Sequence, residues 1–88
     1  MHTLSSNRDL YEYLLSFTAE LKRRGLTTLS EMVAFASSQG SSSSTEFLGE
    51  SRIALKRVLH EENGALTTQE RADLLDVLTQ LDKALNDR

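Results

Sequence analysis

Four apolar stretches of this chain each open on a hydroxyl residue that is followed three positions later by an acidic residue. The four pairs are Ser6 and Asp9, Thr28 and Glu31, Ser43 and Glu46, and Thr67 and Glu70. In such a capping box the hydroxyl oxygen accepts a hydrogen bond from a backbone N–H of the first helical turn, and the acid accepts one from the N–H of the hydroxyl residue. The acid also lies at the positive end of the helix dipole. The pattern therefore predicts four helices and restricts the fold more than any other feature of the sequence.

The apolar residues that follow these pairs repeat at helical spacing, and no stretch shows the sustained alternation of a half-buried strand. The residues predicted to face the core are Leu10, Leu14, Phe17 and Leu21 in the first helix; Leu29, Met32, Val33 and Ala36 in the second; Leu48, Ser51, Leu55, Val58 and Leu59 in the third; and Leu74, Val77, Leu78, Leu81, Ala84 and Leu85 in the fourth. We therefore predict an all-α fold, either a four-helix bundle or two helical hairpins. The predicted helices are 7–24, 29–38, 45–63 and 68–86.

Glycine marks three of the predicted helix ends. Gly25, Gly40 and Gly64 each follow a helix and suit the left-handed conformation just beyond a helix C-terminus. The short connections 25–28 and 64–67 predict tight corners between antiparallel neighbours. Residues 25–28 (GLTT) and 64–68 (GALTT) each contain a glycine, a leucine and two threonines, and whether the two hairpins are a true duplication stays open.

The helices are predicted to form one small domain over residues 1–88, because a chain of this length supports a single core. Serine occupies most of residues 37–44, where we predict a flexible loop between the two hairpins. A phosphorylated or mobile recognition loop is the functional alternative for this segment. Residues 1–5 and 87–88 are predicted to be frayed.

Charge and composition restrict the cellular environments in which the protein can be expected and the partners that it can be expected to bind. The chain has no cysteine for a disulfide or a thiolate metal site, and its formal net charge of −3 argues against a general attraction to phosphate. No apolar run approaches the roughly 18 residues that a membrane helix needs. The first residues lack the basic start and apolar block of a secretory signal. We therefore expect a cytoplasmic protein without membrane association.

The residue types that perform catalysis or bind metals do not form a recognisable set in this sequence. His2 lies near the terminus, His60 points away from the predicted core, and neither has a second histidine at helical spacing. Asp73, Asp76 and Asp87 are scattered along the polar side of the last helix, as on a solvated surface. Single glycines at helix ends form no phosphate-binding loop. We predict that the protein is not an enzyme and uses no metal, cofactor or small-molecule substrate.

A DNA-binding regulator is the alternative prediction. The second and third helices could form a helix-turn-helix with helix 45–63 as the recognition helix. Its candidate DNA contacts are Arg52, Lys56 and Arg57. Against this alternative, the connection is longer than the usual turn, and Glu46 and Glu50 at the start of the helix would face phosphates. The negative net charge also argues against a nucleic-acid partner.

The first and third helices carry more apolar surface than one core face needs. At about 100° per residue, Tyr11, Tyr13 and Leu15 widen the apolar arc of the first helix to more than half of its circumference. An ordinary surface helix needs a stripe only a little wider than about 100°. On the third helix, Ile53 points about 160° away from the predicted core face, on the side of Gly49. Close approach of another backbone is one explanation for a glycine in that position. The alternative is that a single exposed isoleucine needs no explanation.

We therefore predict a small non-enzymatic protein that acts by protein–protein interaction or regulation. Its candidate interface residues are Tyr11, Tyr13, Leu15, Gly49 and Ile53. A chain of this size buries only about 60–65% of the surface that it exposes when unfolded. The extra apolar surface therefore favours burial against a second copy, as a homodimer, or against another protein.

Overall fold

The computed structural model describes residues 6–41, 43–62 and 64–86. Its elements are α1 (Asn7–Arg23), α2 (Thr27–Ser38), a 3₁₀ turn (Gln39–Ser41), α3 (Ser44–Glu61) and α4 (Thr68–Asn86). The described residues form four α-helices and no strand, which confirms the predicted all-α class. The predicted frayed ends, residues 1–5 and 87–88, lie outside the described part of the chain.

The four helices share one hydrophobic core. Helix α1 packs against α2, α2 against α3, and α3 against α4, so that the α2–α3 contact joins the two hairpins. The buried apolar residues are Leu10, Leu14, Phe17, Leu21, Leu29, Val33, Ala36, Phe47, Leu48, Ala54, Leu55, Val58, Leu66, Leu74, Val77, Leu78 and Leu81. Because all four helices contribute to this one cluster, a four-helix bundle describes the chain better than two separate hairpins do.

Most of the predicted core positions are buried, and the exceptions lie at the edges. Met32, Leu59 and Leu85 are half-buried and pack against the core from its rim. The prediction for Ala84 is wrong, since it is exposed in the last turn of α4, where Leu85 packs against the core instead. Phe47 was not predicted to face the core, but it is only 1% exposed and is among the largest fully buried side chains.

Three of the four predicted capping boxes supply a helix cap. The N–H groups of Asp9, Glu46 and Glu70 donate hydrogen bonds to the hydroxyl oxygens of Ser6, Ser43 and Thr67, at 3.3, 3.2 and 3.1 Å respectively. At the last of these caps the Glu70 carboxylate also accepts a hydrogen bond from the Thr67 N–H, at 2.9 Å. This reciprocal pair fixes the first residue of α4.

The predicted cap at Thr28 is wrong. Helix α2 begins at Thr27, and its N-cap residue Leu26 makes no side-chain capping hydrogen bond. The Leu26 N–H donates to the Leu21 carbonyl at 3.0 Å, and the Leu26 carbonyl accepts from the Ser30 N–H at 2.9 Å. Because one residue both closes α1 and opens α2, Thr28 already lies inside the second helix.

Two of the three predicted left-handed glycines are confirmed. Gly25 and Gly64 have φ angles of 78° and 82°, a region in which a side chain would clash with the backbone. The prediction for Gly40 is wrong, because this residue lies in the 3₁₀ turn and does not have a positive φ. Beyond α2 the chain continues into the tighter 3₁₀ turn and does not reverse through a left-handed residue.

The segment between the two hairpins is more regular than the predicted loop 37–44. Ser37 and Ser38 belong to α2, and α3 begins at Ser44. Ser42 lies outside the described residues. The flexibility of this segment stays a prediction.

An ion-pair network holds the corner where the end of α1 meets the start of α4. The Arg24 guanidinium donates to a Glu70 carboxylate oxygen at 2.6 Å and to a Glu20 carboxylate oxygen at 2.8 Å. It also donates to the Ala65 carbonyl at 3.3 Å. The hydrogen bonds from Arg24, together with the one from the Thr67 N–H, hold the pKa of Glu70 below its usual value.

We expect Glu70→Gln to reduce the acid sensitivity of the fold. A carboxylate whose pKa is lowered by folding stabilises the folded state above its unfolded pKa, and this contribution is lost as the pH falls through the folded pKa. Between neutral pH and about pH 3, the free energy of unfolding should therefore decrease more for the wild type than for the variant. Urea denaturation at both pH values measures the two decreases, and equal decreases would contradict the assignment.

Candidate protein-interaction surface

Large apolar side chains are exposed at several places on the described part of the chain. They are Tyr11, Leu15, Phe35, Ile53 and Leu75. Phe35 and Ile53 are the most exposed of these, each at 58%. They belong to neighbouring helices and line the same depression between α2 and α3. This juxtaposition makes the site the strongest candidate for binding.

We name this depression the α2–α3 groove; it is open to the surface and has a volume of about 380 Å³. Its apolar lining consists of Met32, Phe35, Ile53 and Ala54. Its polar rim consists of Thr28, Glu31, Glu50 and Arg57. Protein-binding sites commonly combine an apolar centre that lacks charge with a polar, solvated rim.

Helical periodicity explains why α3 presents Ile53 to this groove. Leu55, two positions later, is completely buried at 0% exposure, and two residues turn the helix by about 200°. Glu50 and Arg57 lie within about 60° of Ile53 around the helix. The face opposite the core therefore carries one apolar residue between two opposite charges.

Phe35 completes the groove and was not among the residues that the sequence predicted for an interface. It follows Val33, which is completely buried, by two positions and so points away from the core by about 160°. The periodicity that placed Ile53 on the surface thus contained the same signal for Phe35. Met32, predicted as a core residue, lies at the boundary and connects the core to the groove.

Gly49 lies one turn before Ile53, on the same exposed side of α3. A Cβ built at this position meets no atom within 4 Å among the described residues. The close backbone approach that the sequence predicted is therefore not supplied by residues 6–41, 43–62 or 64–86. The space that Gly49 leaves on α3 is therefore open to a second molecule.

Gly49→Ala should stabilise the isolated chain. Alanine fits the open space at this position and restricts the unfolded chain, which together raise the free energy of unfolding by about 0.5–1 kcal/mol. Urea denaturation at low protein concentration measures the change. Gly25→Ala is the matched control and should destabilise the fold, because its φ of 78° is unfavourable for alanine. A loss of stability in Gly49→Ala would show that α3 is packed more closely here than we describe.

The candidate residues of α1 are divided between the core and the surface. Tyr13 is half-buried against the core, and its ring centroid lies 5.6 Å from that of Phe17. Burial raises the pKa of the Tyr13 hydroxyl, and the carboxylates of Asp73 and Glu70 on α4 raise it further. Tyr13 is therefore a residue of the core edge between α1 and α4, and it offers little surface to a partner.

Tyr11 and Leu15 remain exposed and line a second groove, between α1 and the 3₁₀ turn. The Tyr11 ring already covers Gly40, where an added Cβ would lie 3.3 Å from the ring. The lining of this groove includes the polar side chains of Asn7 and Arg8. Because the Tyr11 ring already packs against Gly40 of the same chain, less of it is available to a partner. This second groove is therefore the weaker candidate.

The candidate DNA contacts on α3 each face a carboxylate. Arg52 Nη1 lies 3.2 Å and Lys56 Nζ 3.9 Å from the same carboxylate oxygen of Asp82. Arg57 Nε donates to the Glu61 carboxylate at 2.6 Å. These partners offset the positive charge that a phosphate would require, so the geometry gives no support to the DNA-binding alternative.

The described part of the chain contains neither a cluster of metal-binding side chains nor a helix that could span a membrane. Within residues 6–41, 43–62 and 64–86, no three His, Cys, Asp or Glu residues come together as metal ligands. None of the helices in these ranges has the length and apolar character needed to span a bilayer. The cytoplasmic location stays a prediction.

Comparisons with known proteins do not extend this description. No protein family, no curated protein and no solved structure matches the chain. The surface geometry of the chain itself is therefore the evidence for its function.

Proposed function

We propose that this protein is a non-enzymatic interaction protein, with a regulatory or assembly role, that binds another polypeptide through the α2–α3 groove. The observation that carries the proposal is the 58% exposure of both Phe35 and Ile53 on one shared apolar depression. A single exposed apolar residue on a protein surface needs no explanation. Two large ones that line the same depression form an exposed apolar patch, and such patches mark interaction sites.

Covering this patch would supply a substantial part of the free energy of binding. Complete burial of an exposed Phe or Ile side chain contributes about 1.5–3 kcal/mol. Because Phe35 and Ile53 each have 58% of their surface left to bury, together they would contribute about 2–3 kcal/mol. A contribution of this size is typical of the few residues that dominate a protein interface.

The charged rim favours a protein partner over a nucleic acid. Glu31 and Glu50 line the groove with Arg57, so a phosphate chain laid along it would meet two carboxylates. For a protein partner, such mixed charges select orientation and contribute more to specificity than to affinity.

Capture from the cells that produce this protein tests the proposal. The baits are tagged wild type, Ile53→Lys and the control Leu75→Lys, and the retained proteins, untagged copies of this chain included, are quantified by mass spectrometry. Leu75 is a suitable control because it is also exposed but lies on α4, outside the groove. We expect Ile53→Lys to lose the proteins that wild type and Leu75→Lys retain, because a lysine cannot be buried in the apolar lining without a large desolvation cost.

Circular dichroism of the three baits verifies that each is folded. Equal retention by wild type and Ile53→Lys would contradict the proposed site. Equal loss by both lysine variants would show that binding depends on general surface charge rather than on the groove.

A further inference from the structure

Charges of opposite sign lie on the two sides of Ile53 along the exposed face of α3. The acidic residues Glu46 and Glu50 precede it, and the basic residues Lys56 and Arg57 follow it. All of these residues lie within about 60° of Ile53 around the helix. A face that is acidic in its first half and basic in its second half is complementary to itself when two copies meet antiparallel.

A two-fold axis at Ile53 brings these opposite charges together. With a rise of about 1.5 Å per residue, Glu50 lies about 4.5 Å before Ile53 and Arg57 about 6 Å after it. Both side chains lie on the side of α3 that faces α2, since both line the α2–α3 groove. Consider a two-fold axis perpendicular both to the two antiparallel helices and to the line that joins them. This axis places the α2-facing side of each helix on the same side of the helix pair. Glu50 of each copy then faces Arg57 of the partner subunit.

We propose that the α2–α3 groove binds a second copy of this chain, with the two α3 helices antiparallel across a two-fold axis at Ile53 and with Glu50 of each copy paired with Arg57 of the other. This inference rests on the proposed function, because it names the occupant of the same groove. The two Ile53 side chains meet at the axis, and the two Phe35 side chains lie on the same side of the helix pair. The two grooves thereby become one continuous apolar surface.

Two further observations agree with this arrangement. Gly49 leaves open space beside Ile53, as a closely approaching helix requires. Within the chain, Arg57 is paired with Glu61, and both of these side chains are substantially exposed. The bond to Glu61 uses the Nε–H of Arg57, and a guanidinium carries five N–H donors, so Arg57 can keep this pair and also donate to a carboxylate of the partner subunit.

Charge reversal with mixing tests both the partner and the orientation. In a dimer of Glu50→Lys, lysine faces Arg57 of the partner subunit at both ends, and in a dimer of Arg57→Glu two carboxylates face each other at both ends. Because two contacts change from attractive to repulsive, we expect each variant alone to dimerise about tenfold more weakly than wild type. In an equimolar mixture the two variants can form a mixed dimer with one copy of each. Both facing pairs of this dimer again have opposite charges.

The mixture should therefore form a mixed dimer of nearly wild-type affinity, in excess over either homodimer. Sedimentation equilibrium measures the affinities, and native mass spectrometry separates the mixed dimer by mass. Glu12→Lys is the control, since Glu12 is an exposed residue of α1, outside the groove, and its reversal should leave dimerisation unchanged.

Two outcomes would overturn the inference, and they are distinct from failure of the proposed function. A mixture that shows no preference for the mixed dimer would exclude this antiparallel pairing. A wild-type chain that stays monomeric throughout the accessible concentration range would exclude a second copy as the occupant. If the wild type is monomeric but captures a protein of different sequence that Ile53→Lys does not capture, the groove is a binding site for that protein. The proposed function then stands.

Discussion

Phe47→Ala is expected to lower the free energy of unfolding by about 3–5 kcal/mol, whereas Phe35→Ala should change it by less than about 0.5 kcal/mol. The two phenylalanines are chemically identical but are exposed to 1% and 58% respectively. Removing the buried ring loses its transfer free energy and leaves a cavity, while the exposed ring has little packing to lose. A chain of 88 residues has a total stability of about 4–13 kcal/mol, so the first change removes a large fraction of it.

Urea denaturation followed by far-ultraviolet circular dichroism measures both variants at low protein concentration, where self-association does not contribute. If Phe47→Ala does not fold, Phe47→Leu provides a smaller change in the same direction. Equal effects of the two alanine substitutions would contradict the fold, in which Phe47 is a core residue and Phe35 is a surface residue. They would also remove the basis of the proposed function, which requires that Phe35 is not a core residue.

Arg71→Ala is expected to destabilise the fold by about 2–3 kcal/mol, because it leaves the Glu62 carboxylate buried without its counter-ion. The Glu62 side chain is 2% exposed and forms an ion pair with Arg71 of α4. Its other carboxylate oxygen accepts a hydrogen bond from the Gly64 N–H at 2.6 Å. The Arg71 side chain is 48% exposed, so water reaches one partner. The expected loss is therefore below the about 3–5 kcal/mol found when a fully buried pair is broken.

A double-mutant cycle separates the buried charge from other effects of the substitution. Adding Glu62→Gln to Arg71→Ala should restore part of the stability, since a neutral amide still accepts the hydrogen bond from Gly64 without a buried charge. Arg8→Ala is the matched control, because Arg8 forms an exposed pair with Glu12 and should change stability by less than about 0.5 kcal/mol. A loss in Arg71→Ala as small as in the control would show that Glu62 is solvated.

The parts of the fold that depend on neighbouring residues could be predicted from the sequence. Helix caps, glycine corners and core faces follow from residues within one or two turns of each other, and the caps at Ser6, Ser43 and Thr67 formed as predicted. The failures at Thr28 and Gly40 occur where one helix passes directly into another element. There, backbone hydrogen bonds that close the first element also fix the start of the next, and local signals lose their independence.

Interactions between distant segments could not be predicted in this way. Arg24 binds Glu70 in the fourth helix, 46 positions away, and no pattern near Arg24 in the sequence indicates this partner. Glu62 is buried, and its environment is created by Arg71 and the turn at Gly64. Such pairs depend on how the helices pack, which periodicity determines only to within a face.

The candidate site lies between these two cases. The exposed position of Ile53 followed from counting around one helix, and so did the open side of Gly49. That Phe35 and Ile53 line one groove depends on the packing of α2 against α3, because the two residues belong to different helices. Sequence alone also grouped Tyr13 with Tyr11, although α4 covers the former and leaves the latter exposed.

The most direct test of the central claim uses the absence of cysteine from this chain, because a single introduced cysteine reports on one site. A disulfide between two copies requires Cα atoms within about 7 Å. Under mild oxidation Ile53→Cys should form a disulfide-linked dimer rapidly, since the two copies of this position meet at the two-fold axis. Leu75→Cys on α4, a position with 47% exposure against 58% for Ile53, should form almost no disulfide, because its two copies lie far apart in the same dimer. A Leu75→Cys chain that forms the disulfide as fast as Ile53→Cys, or an Ile53→Cys chain that forms none, would contradict the claim that the α2–α3 groove is where this protein binds its own second copy.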